Sequence, residues 1–221
     1  MFNIYFVHGW GFDKSFWFPA AKYVKQNNLI RSLFYIDLNF FDSNSKNTIN
    51  TNSTINIFVT HSYGLHWFLE KKIDCVGLLN FFSAPSFIDY QKNPEKAKIY
   101  LDLMIKKFEK SPHFVLKEFY KNCGVTKNKF IKKINTKKLL KSLKDLRLKN
   151  YKDDFLYLSD KILNVFATDD QIFDLSIQKF DSLMNFKKKY MFVKSNNHAY
   201  PYLQPKETAL IINNYLKNLR K

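Results

Sequence analysis

Six short apolar runs recur along the chain, and none of them alternates apolar with polar residues. The runs are FNIYFV (2–7), SLFYIDL (32–38), NIFVT (56–60), CVGLLNFF (75–82), ILNVFA (162–167) and YMFV (190–193). Continuous apolar strands are typical of a parallel sheet that helices cover on both faces. Segments with apolar residues at helical spacing separate most of these runs, at 15–27, 63–72, 174–184 and 206–219. The pattern predicts an α/β fold with a mostly parallel sheet of about six strands flanked by helices.

The stretch between the fourth and fifth runs has a different pattern. The segments KAKIYLDLMIKKFEK, SPHFVLKEFYKN and TKKLLKSLKDLRLKNY carry apolar residues at helical spacing. Ser111 before Pro112 marks a helix start, and Thr136 is a second predicted N-cap. We therefore predict a core over residues 1–86 and 159–221 and a helical lid insertion over residues 87–158. The polar segment 42–54 is predicted to be a loop where a crossover helix could have stood.

Composition supports one packed domain. The 221 residues are 46% hydrophobic and 18% aromatic, which is far from the low hydrophobicity of disordered chains. The two cysteines, Cys75 and Cys123, are too few for a disulfide scaffold and lack metal-ligand spacing, so we expect buried thiols in a reducing compartment. No signal peptide and no long apolar run is present, and the sequence therefore predicts a cytoplasmic protein outside the membrane.

The formal net charge of +17 comes from 36 Lys and Arg against 19 Asp and Glu. Such an excess favours an anionic partner, namely nucleic acid, a membrane surface or an acidic protein. The sequence contains no zinc-finger, basic-zipper or RNA-recognition signature, so we expect no nucleic-acid partner. Enrichment in Lys, Asn, Ile and Phe is also consistent with drift in composition, which explains part of the charge.

Four loops that follow predicted strands contain the residues whose side chains could take part in catalysis. They are VHGWG (7–11), THSYG (60–64), FATDDQIF (166–173) and KSNNHAYP (194–201). Open α/β sheets place their sites at the carboxyl ends of strands, where these loops would meet. The order serine, aspartate, histidine along the chain is that of the α/β-hydrolase triad.

Ser62 in THSYG has two interpretations. It can cap the helix that follows, or it can be a nucleophile presented by a tight strand-to-helix turn. The segment keeps the Ser-x-Gly half of the G-x-S-x-G pattern, with Thr60 in place of the first glycine. As an isolated motif this is weak, but a predicted strand before it and a helix after it favour the nucleophile.

His198 lies in a polar loop after the last strand, where a general base could meet Ser62. Asp169 and Asp170 compete as the carboxylate that orients it, and Asp170, which stands before QIF, is preferred. The other histidines are interpreted as structural. The glycine-rich HGWG turn predicts an oxyanion hole made by the N–H groups of Trp10 and Tyr63.

The segments FVHGWGFDKSFW, HSYG, SAPSF, TDDQIF and NHAYPYLQP together resemble the pimeloyl-[acyl-carrier-protein] methyl ester esterases of biotin synthesis. The resemblance spans nearly the whole chain. It implies an α/β-hydrolase fold, a serine esterase without a cofactor, a triad of Ser62, Asp170 and His198, and an acyl carrier protein as partner. It further implies an acyl pocket lined by Trp10, Phe114 and Tyr120. Thr60 and the segment 42–54 depart from the family pattern.

Lysines of the lid fall into groups that can share a face. Lys117 and Lys121 are four residues apart on one predicted helix, and Lys129, Lys132 and Lys133 crowd the next segment. The resemblance implies contact with an acidic carrier protein here, whereas any single lysine could simply be solvated. We expect a monomer.

Two other functions remain open at this stage. One is a general carboxylesterase, thioesterase or C–C hydrolase that uses the same triad on other acyl compounds. The other is a non-catalytic module that docks an acidic partner through its basic lid.

Overall fold

The computed structural model describes residues 1–41, 45–50, 55–126, 133–185, 187 and 189–219. Its strands are β1 (Phe2–Val7), β2 (Ile30–Ile36), β3 (Asn56–His61), β4 (Gly77–Phe81), β5 (Ile162–Ala167) and β6 (Tyr190–Val193). The core helices are α1 (Phe18–Val24), α2 (Tyr63–Lys71), α7 (Ile177–Leu183), α8 (Tyr200–Leu203) and α9 (Pro205–Leu219), with a 3₁₀ turn over Lys14–Trp17. The lid helices are α3 (Pro94–Lys110), α4 (Pro112–Asn122), α5 (Thr136–Leu148) and α6 (Lys152–Tyr157).

The strands form one parallel sheet in the order β2-β1-β3-β4-β5-β6. The predicted fold class is therefore confirmed, and each predicted strand is present within a few residues of its expected bounds. The chain reverses direction of winding at β1 and β3, which are neighbours in the sheet. Loops that leave the carboxyl ends of these two strands diverge at such a point and create a crevice.

Helices cover both faces of the sheet, as side-chain alternation along the strands demonstrates. Tyr5 stacks on Phe58, and Phe58 packs against Phe68 of α2. The next residue, Phe6, points to the opposite face and packs against Trp17 beside α1. Since α9 packs against α1, these two helices cover the face opposite α2. The inner strands β1, β3, β4 and β5 are buried on both sides, which explains their unbroken apolar runs, while the edge strands β2 and β6 are partly exposed.

The lid consists of helices, as predicted. Ser111 is the N-cap of α4, but the prediction that Thr136 caps α5 is wrong. The cap is Asn135, whose side chain accepts a hydrogen bond from the backbone N–H of Lys138, and Thr136 is the first helical residue. An asparagine oxygen reaches the first-turn donors as well as a threonine hydroxyl does.

Residues 45–50 contain neither helix nor strand, in agreement with the predicted loop, while 42–44 and 51–54 lie outside the described residues. Among the residues described, no helix is long and apolar enough to cross a membrane.

Candidate active site

Ser62 occupies a sharp turn between β3 and α2. Its backbone has φ 53° and ψ −125°, a conformation that costs a non-glycine residue free energy. Its N–H donates to the carbonyl of Phe81, 2.9 Å away at the end of β4, which anchors the turn to the neighbouring strand. The side chain makes no capping hydrogen bond to α2. The geometry therefore favours the nucleophile over the helix cap.

Two glycines allow the turn to form. A Cβ on Gly64 would lie 2.8 Å from the carbonyl oxygen of Val7 and 2.9 Å from that of His8, so α2 can approach the end of β1 only through a glycine. A Cβ on Gly9 would lie 2.8 Å from the Cβ of Ser62. The loop after β1 is therefore pressed directly against the serine.

Thr60 stands where a glycine is usual in the pattern, and the structure gives it a buried polar role. Its hydroxyl donates to Asn80 of β4, 3.1 Å away, and the Asn80 amide donates in turn to Asn164 of β5, at 2.9 Å. All three side chains are fully buried. Because the hydroxyl is satisfied within the sheet, the bulkier residue is accommodated without displacing Ser62.

Asp170 and His198 form a buried pair at the carboxyl edge of the sheet. His198 Nδ1 is 2.7 Å from Asp170 Oδ2, and the other carboxylate oxygen accepts the N–H groups of Ile172 and Phe173. Asp169 is exposed and accepts a hydrogen bond from Thr168 instead. The structure thus brings Asp170, and not Asp169, to the histidine.

The other ring nitrogen of His198 is positioned to accept a proton. With Nδ1 donating to the carboxylate, Nε2 is the unprotonated nitrogen of the neutral ring. This atom is buried and has no hydrogen-bond partner among the described residues. A general base needs such an unprotonated nitrogen that no other group of the protein occupies.

His61, which precedes Ser62 and is interpreted as structural from the sequence, lies beside His198. Its Nε2 is 2.9 Å from the carbonyl oxygen of His198, and the two rings are 4.9 Å apart. Burial, with the charge of a protonated His198 second, holds the pKa of His61 well below 6.5. A neutral His61 therefore donates to the His198 backbone and does not compete for its proton.

The predicted oxyanion donors, Trp10 and Tyr63, lie in the segments that follow the carboxyl ends of β1 and β3. No hydrogen bond within the described part of the chain uses the backbone N–H of Trp10 or Tyr63. Their side chains instead hold the lid, since Trp10 Nε1 donates to Leu139 O at 3.0 Å and the Tyr63 hydroxyl donates to Asp145 at 3.1 Å. The two N–H groups are therefore available to a ligand.

Of the predicted pocket residues, Trp10 and Tyr120 are buried and Phe114 is not. The Tyr120 hydroxyl donates to the carbonyl of Gly11 at 2.5 Å, so it holds the loop after β1. Phe114 is 46% exposed, and the Lys107 ammonium lies 4.0 Å from the centre of its ring. The structure places Phe114 on the outer surface of the lid, in a groove between α3 and α4.

Three of the five predicted carrier-binding lysines lie within the residues that the structure describes. Lys117, Lys121 and Lys133 are exposed, whereas Lys129 and Lys132 lie outside the described residues. Lys117 and Lys121 have no ion-pair partner within the described ranges.

Within the residues that the structure describes, no group of three His, Cys, Asp or Glu side chains could hold a metal ion.

Comparison with solved structures identifies the architecture. The chain is similar to an esterase from Thermogutta terrifontis, with a TM-score of 0.71, 15% identity and coverage of 100% of this chain and 91% of that one. The chain has the α/β-hydrolase fold. An esterase from Exiguobacterium antarcticum matches with a TM-score of 0.70, 12% identity and coverage of 98% and 92%. MenH from S. aureus matches with a TM-score of 0.67, 12% identity and coverage of 100% and 95%.

No protein-family model matches the sequence, and no curated protein matches it either. At identities of 10–15% the structural likeness demonstrates the fold. The fold alone does not determine the chemistry, which depends on the residues of this chain at the carboxyl ends of its strands.

Proposed function

We propose that this protein is a serine esterase of the α/β-hydrolase fold that acts through an acyl-enzyme. The observation that carries the proposal is the arrangement at the carboxyl edge of the sheet. A serine in a strained strand-to-helix turn directly follows His61, whose ring is 4.9 Å from that of a buried histidine, and this histidine is paired with a buried aspartate. These are the parts of a nucleophilic triad, in the chain order of this fold.

The first half of the reaction transfers the acyl group to Ser62. Its Oγ attacks the ester carbonyl carbon while His198 Nε2 takes the hydroxyl proton. The charge that develops on the carbonyl oxygen is received by the N–H groups of Trp10 and Tyr63. When the C–O bond breaks, His198 returns the proton to the departing alcohol, and the acyl group stays on the serine.

The second half repeats these steps with water. Water gives a proton to His198 and attacks the acyl-enzyme carbonyl. The tetrahedral intermediate then collapses to the carboxylic acid, and His198 returns the proton to the departing Oγ of Ser62. Asp170 stabilises the imidazolium in both halves and holds Nδ1, which leaves Nε2 to exchange the proton. The Ser62 hydroxyl, the His198 ring and the Asp170 carboxylate thus each have a role in one catalytic cycle.

The substrate that we propose is the methyl ester of pimeloyl-acyl carrier protein, as the family resemblance implies. The outer lid supports an acidic partner of this kind. Its groove of about 310 Å³ is lined by Tyr100, Leu103, Met104, Lys107, Phe114, Val115, Glu118, Phe119 and Asn122. Leu103 is 60% exposed, and Lys117 and Lys121 are exposed on the same helix as Phe114. Exposed apolar side chains beside lysines suit an acidic amphipathic surface.

The test of the proposed chemistry is hydrolysis of short p-nitrophenyl esters by the wild type and by Ser62→Ala. We expect the substitution to reduce kcat by about 10⁴-fold or more, with an unchanged melting temperature. Turnover by Ser62→Ala within a few fold of the wild type would contradict the esterase and favour a module that only binds.

The test of the proposed substrate compares the methyl ester of pimeloyl-acyl carrier protein with free methyl esters. A much higher kcat/KM for the carrier-bound ester is the expected result. Equal values would instead indicate a general carboxylesterase or thioesterase that uses the same triad.

A further inference from the structure

The loop that carries the catalytic base is in contact with the end of one lid helix. The N–H of Ala199 donates to the carbonyl of Cys123, 3.1 Å away, directly after α4. Asn197 lies against Gly124, the next residue of the lid, since a Cβ on this glycine would overlap Oδ1 of Asn197 and lie 2.6 Å from its Cγ. The residues immediately before and after His198 therefore both touch the lid.

The end of α4 is a tightly hydrogen-bonded turn. The N–H of Val125 donates to the Tyr120 carbonyl at 2.9 Å, and the N–H of Gly124 donates to the Lys121 carbonyl at 3.0 Å. Together these hydrogen bonds form a Schellman motif, in which the residue after the helix cap is left-handed. Gly124 has φ 82°, a conformation that glycine adopts without strain. Because the Cys123 carbonyl shares a planar peptide group with the Gly124 N–H, the motif also fixes the direction of that carbonyl.

This contact between lid and loop is buried beside the triad. Cys123, His198 and Ala199 are all 0% exposed. Burial, with the charge of Asp170 second, raises the pKa of the Cys123 thiol well above 9.0, so a neutral thiol lies near the carboxylate that holds the base. A backbone hydrogen bond in such a low-dielectric site is electrostatically stronger than one at the surface. The turn is therefore a firm support for the loop.

The backbone of the base is thus held from two directions. From the core, His61 donates to the His198 carbonyl, and from the lid, Cys123 accepts the next N–H along the chain. A general base must reach its partner within hydrogen-bond distance, and a misplacement of about 1 Å can cost on the order of 10²-fold in rate. The lid contact depends on the close approach that a glycine at position 124 permits.

We infer that the turn formed by Cys123 and Gly124 positions the catalytic base. The Cys123 carbonyl holds the backbone after His198, and Gly124 leaves the space that Asn197 occupies before it. The inference rests on the proposed esterase function and adds two positioning residues from the lid to it. Neither residue touches a reacting atom, and both act through the loop that they hold. The lid is therefore part of the frame of the active site as well as its cover.

Gly124→Ala tests the inference, because the added methyl group takes the place of the Asn197 amide. We expect kcat on p-nitrophenyl acetate to fall about 10- to 100-fold, as a small displacement of the base would cause, and KM to change little. Alanine is also strained at this φ and lowers stability. Gly124→Asn adds the same Cβ but tolerates a left-handed φ better. It should show the same loss of kcat with a smaller loss in melting temperature, and it makes the test if Gly124→Ala does not fold.

A second-site substitution separates position from strain. In Gly124→Ala/Asn197→Ala the overlapping amide is removed, and the two Cβ atoms would lie 3.1 Å apart, so the loop can return most of the way. We expect kcat to recover several-fold relative to Gly124→Ala, while strain at residue 124 keeps the melting temperature below that of the wild type. Asn185→Ala is the matched control, since Asn185 also has a left-handed φ, 47°, and is exposed after α7. It should lose stability and keep wild-type kcat.

The outcomes are distinguishable because Ser62→Ala is assayed in parallel. If hydrolysis depends on Ser62 and the variants at Gly124 retain wild-type kcat, the positioning role is overturned and the esterase stands. A loss of kcat that Asn197→Ala does not restore, or an equal loss in Asn185→Ala, would trace the effect to stability alone and would likewise overturn the inference. If wild-type hydrolysis does not depend on Ser62, the esterase function and the positioning role fall together.

Discussion

The carboxyl edge of the sheet, called the sheet edge below, and the outer lid differ in how far their side chains are buried and fixed. At the sheet edge, Ser62, Asp170 and His198 are buried, and each is fixed by hydrogen bonds to the backbone or to another site residue. The outer lid instead exposes large apolar side chains, with Leu103 and Phe114 beside lysines. The inner face of the lid joins the two regions through Trp10, Tyr63 and Tyr120.

This contrast suggests that the sheet edge carries out the reaction and that the outer lid selects the partner. Groups that move protons or stabilise charge need a fixed geometry, which buried strand ends provide. A surface that meets another protein needs exposed apolar area and charge, at some cost in solubility. Substitutions at the sheet edge should therefore affect every substrate alike, and substitutions on the outer lid should affect only a large one.

The largest effect that sharpens the comparison concerns the two adjacent aspartates. Asp170→Asn leaves the shape of the pair but removes the charge that stabilises the protonated His198, and we expect kcat to fall by about 10³- to 10⁴-fold. Asp169→Asn is the matched control, since its side chain is exposed, and it should stay within a few fold of the wild type. Steady-state hydrolysis of p-nitrophenyl acetate measures both, and a larger loss in Asp169→Asn would reverse the assignment.

A second effect concerns a buried histidine near the sheet edge. Burial lowers the pKa of His66 from 6.5 to about 4, although a hydrogen bond to Ala84 and the charge of Asp145 act in the opposite direction. Between pH 6.5 and 4, His66 therefore binds a proton in the unfolded chain but stays neutral in the folded chain. Stability is fully present above pH 6.5 and is lost as the pH falls, by about 1.4 kcal/mol per pH unit for one such group.

Urea unfolding at pH 7, 6 and 5 tests this expectation. His66→Leu should show a shallower loss of stability toward low pH than the wild type. His113→Gln, at an exposed position on the lid, should keep the wild-type slope. Identical slopes in all three proteins would mean that His66 does not contribute.

The smallest expected effect concerns the outer lid. Reversal of Lys117, Lys121 and Lys133 to Glu should lower kcat/KM for the carrier-bound ester several-fold to about tenfold, because electrostatic steering of an acidic carrier is lost. Turnover of p-nitrophenyl acetate should be nearly unchanged, and added salt should reproduce the loss in the wild type.

A matched control reverses three exposed lysines outside the lid, namely Lys22 on α1, Lys25 directly after α1 and Lys217 on α9. It changes the net charge equally but leaves the lid intact. An equal loss on the carrier-bound ester in this control would indicate a general charge effect and not a docking site.

Much of the sheet edge could be predicted from the sequence. Buried parallel strands are recognised as unbroken apolar runs. Loops at the carboxyl ends of such strands lie at the same edge of the sheet, and this predicted that Ser62, Asp170 and His198 lie near one another. Packing across distant segments has no such signal. Nothing in the sequence indicated that His61 would donate to the His198 backbone, or that the Tyr120 hydroxyl would hold the Gly11 carbonyl. The first contact depends on how the last loop folds back onto β3, and the second depends on how the lid packs on the loop after β1.

The most direct test of the central claim is the mass of the intact protein after incubation with a fluorophosphonate. An activated Ser62 should be modified once and stoichiometrically, peptide mapping should locate the adduct on Ser62, and neither Ser62→Ala nor acid-unfolded wild type should react. An unmodified wild-type protein, or equal modification of Ser62→Ala, would contradict the assignment of this serine as the nucleophile.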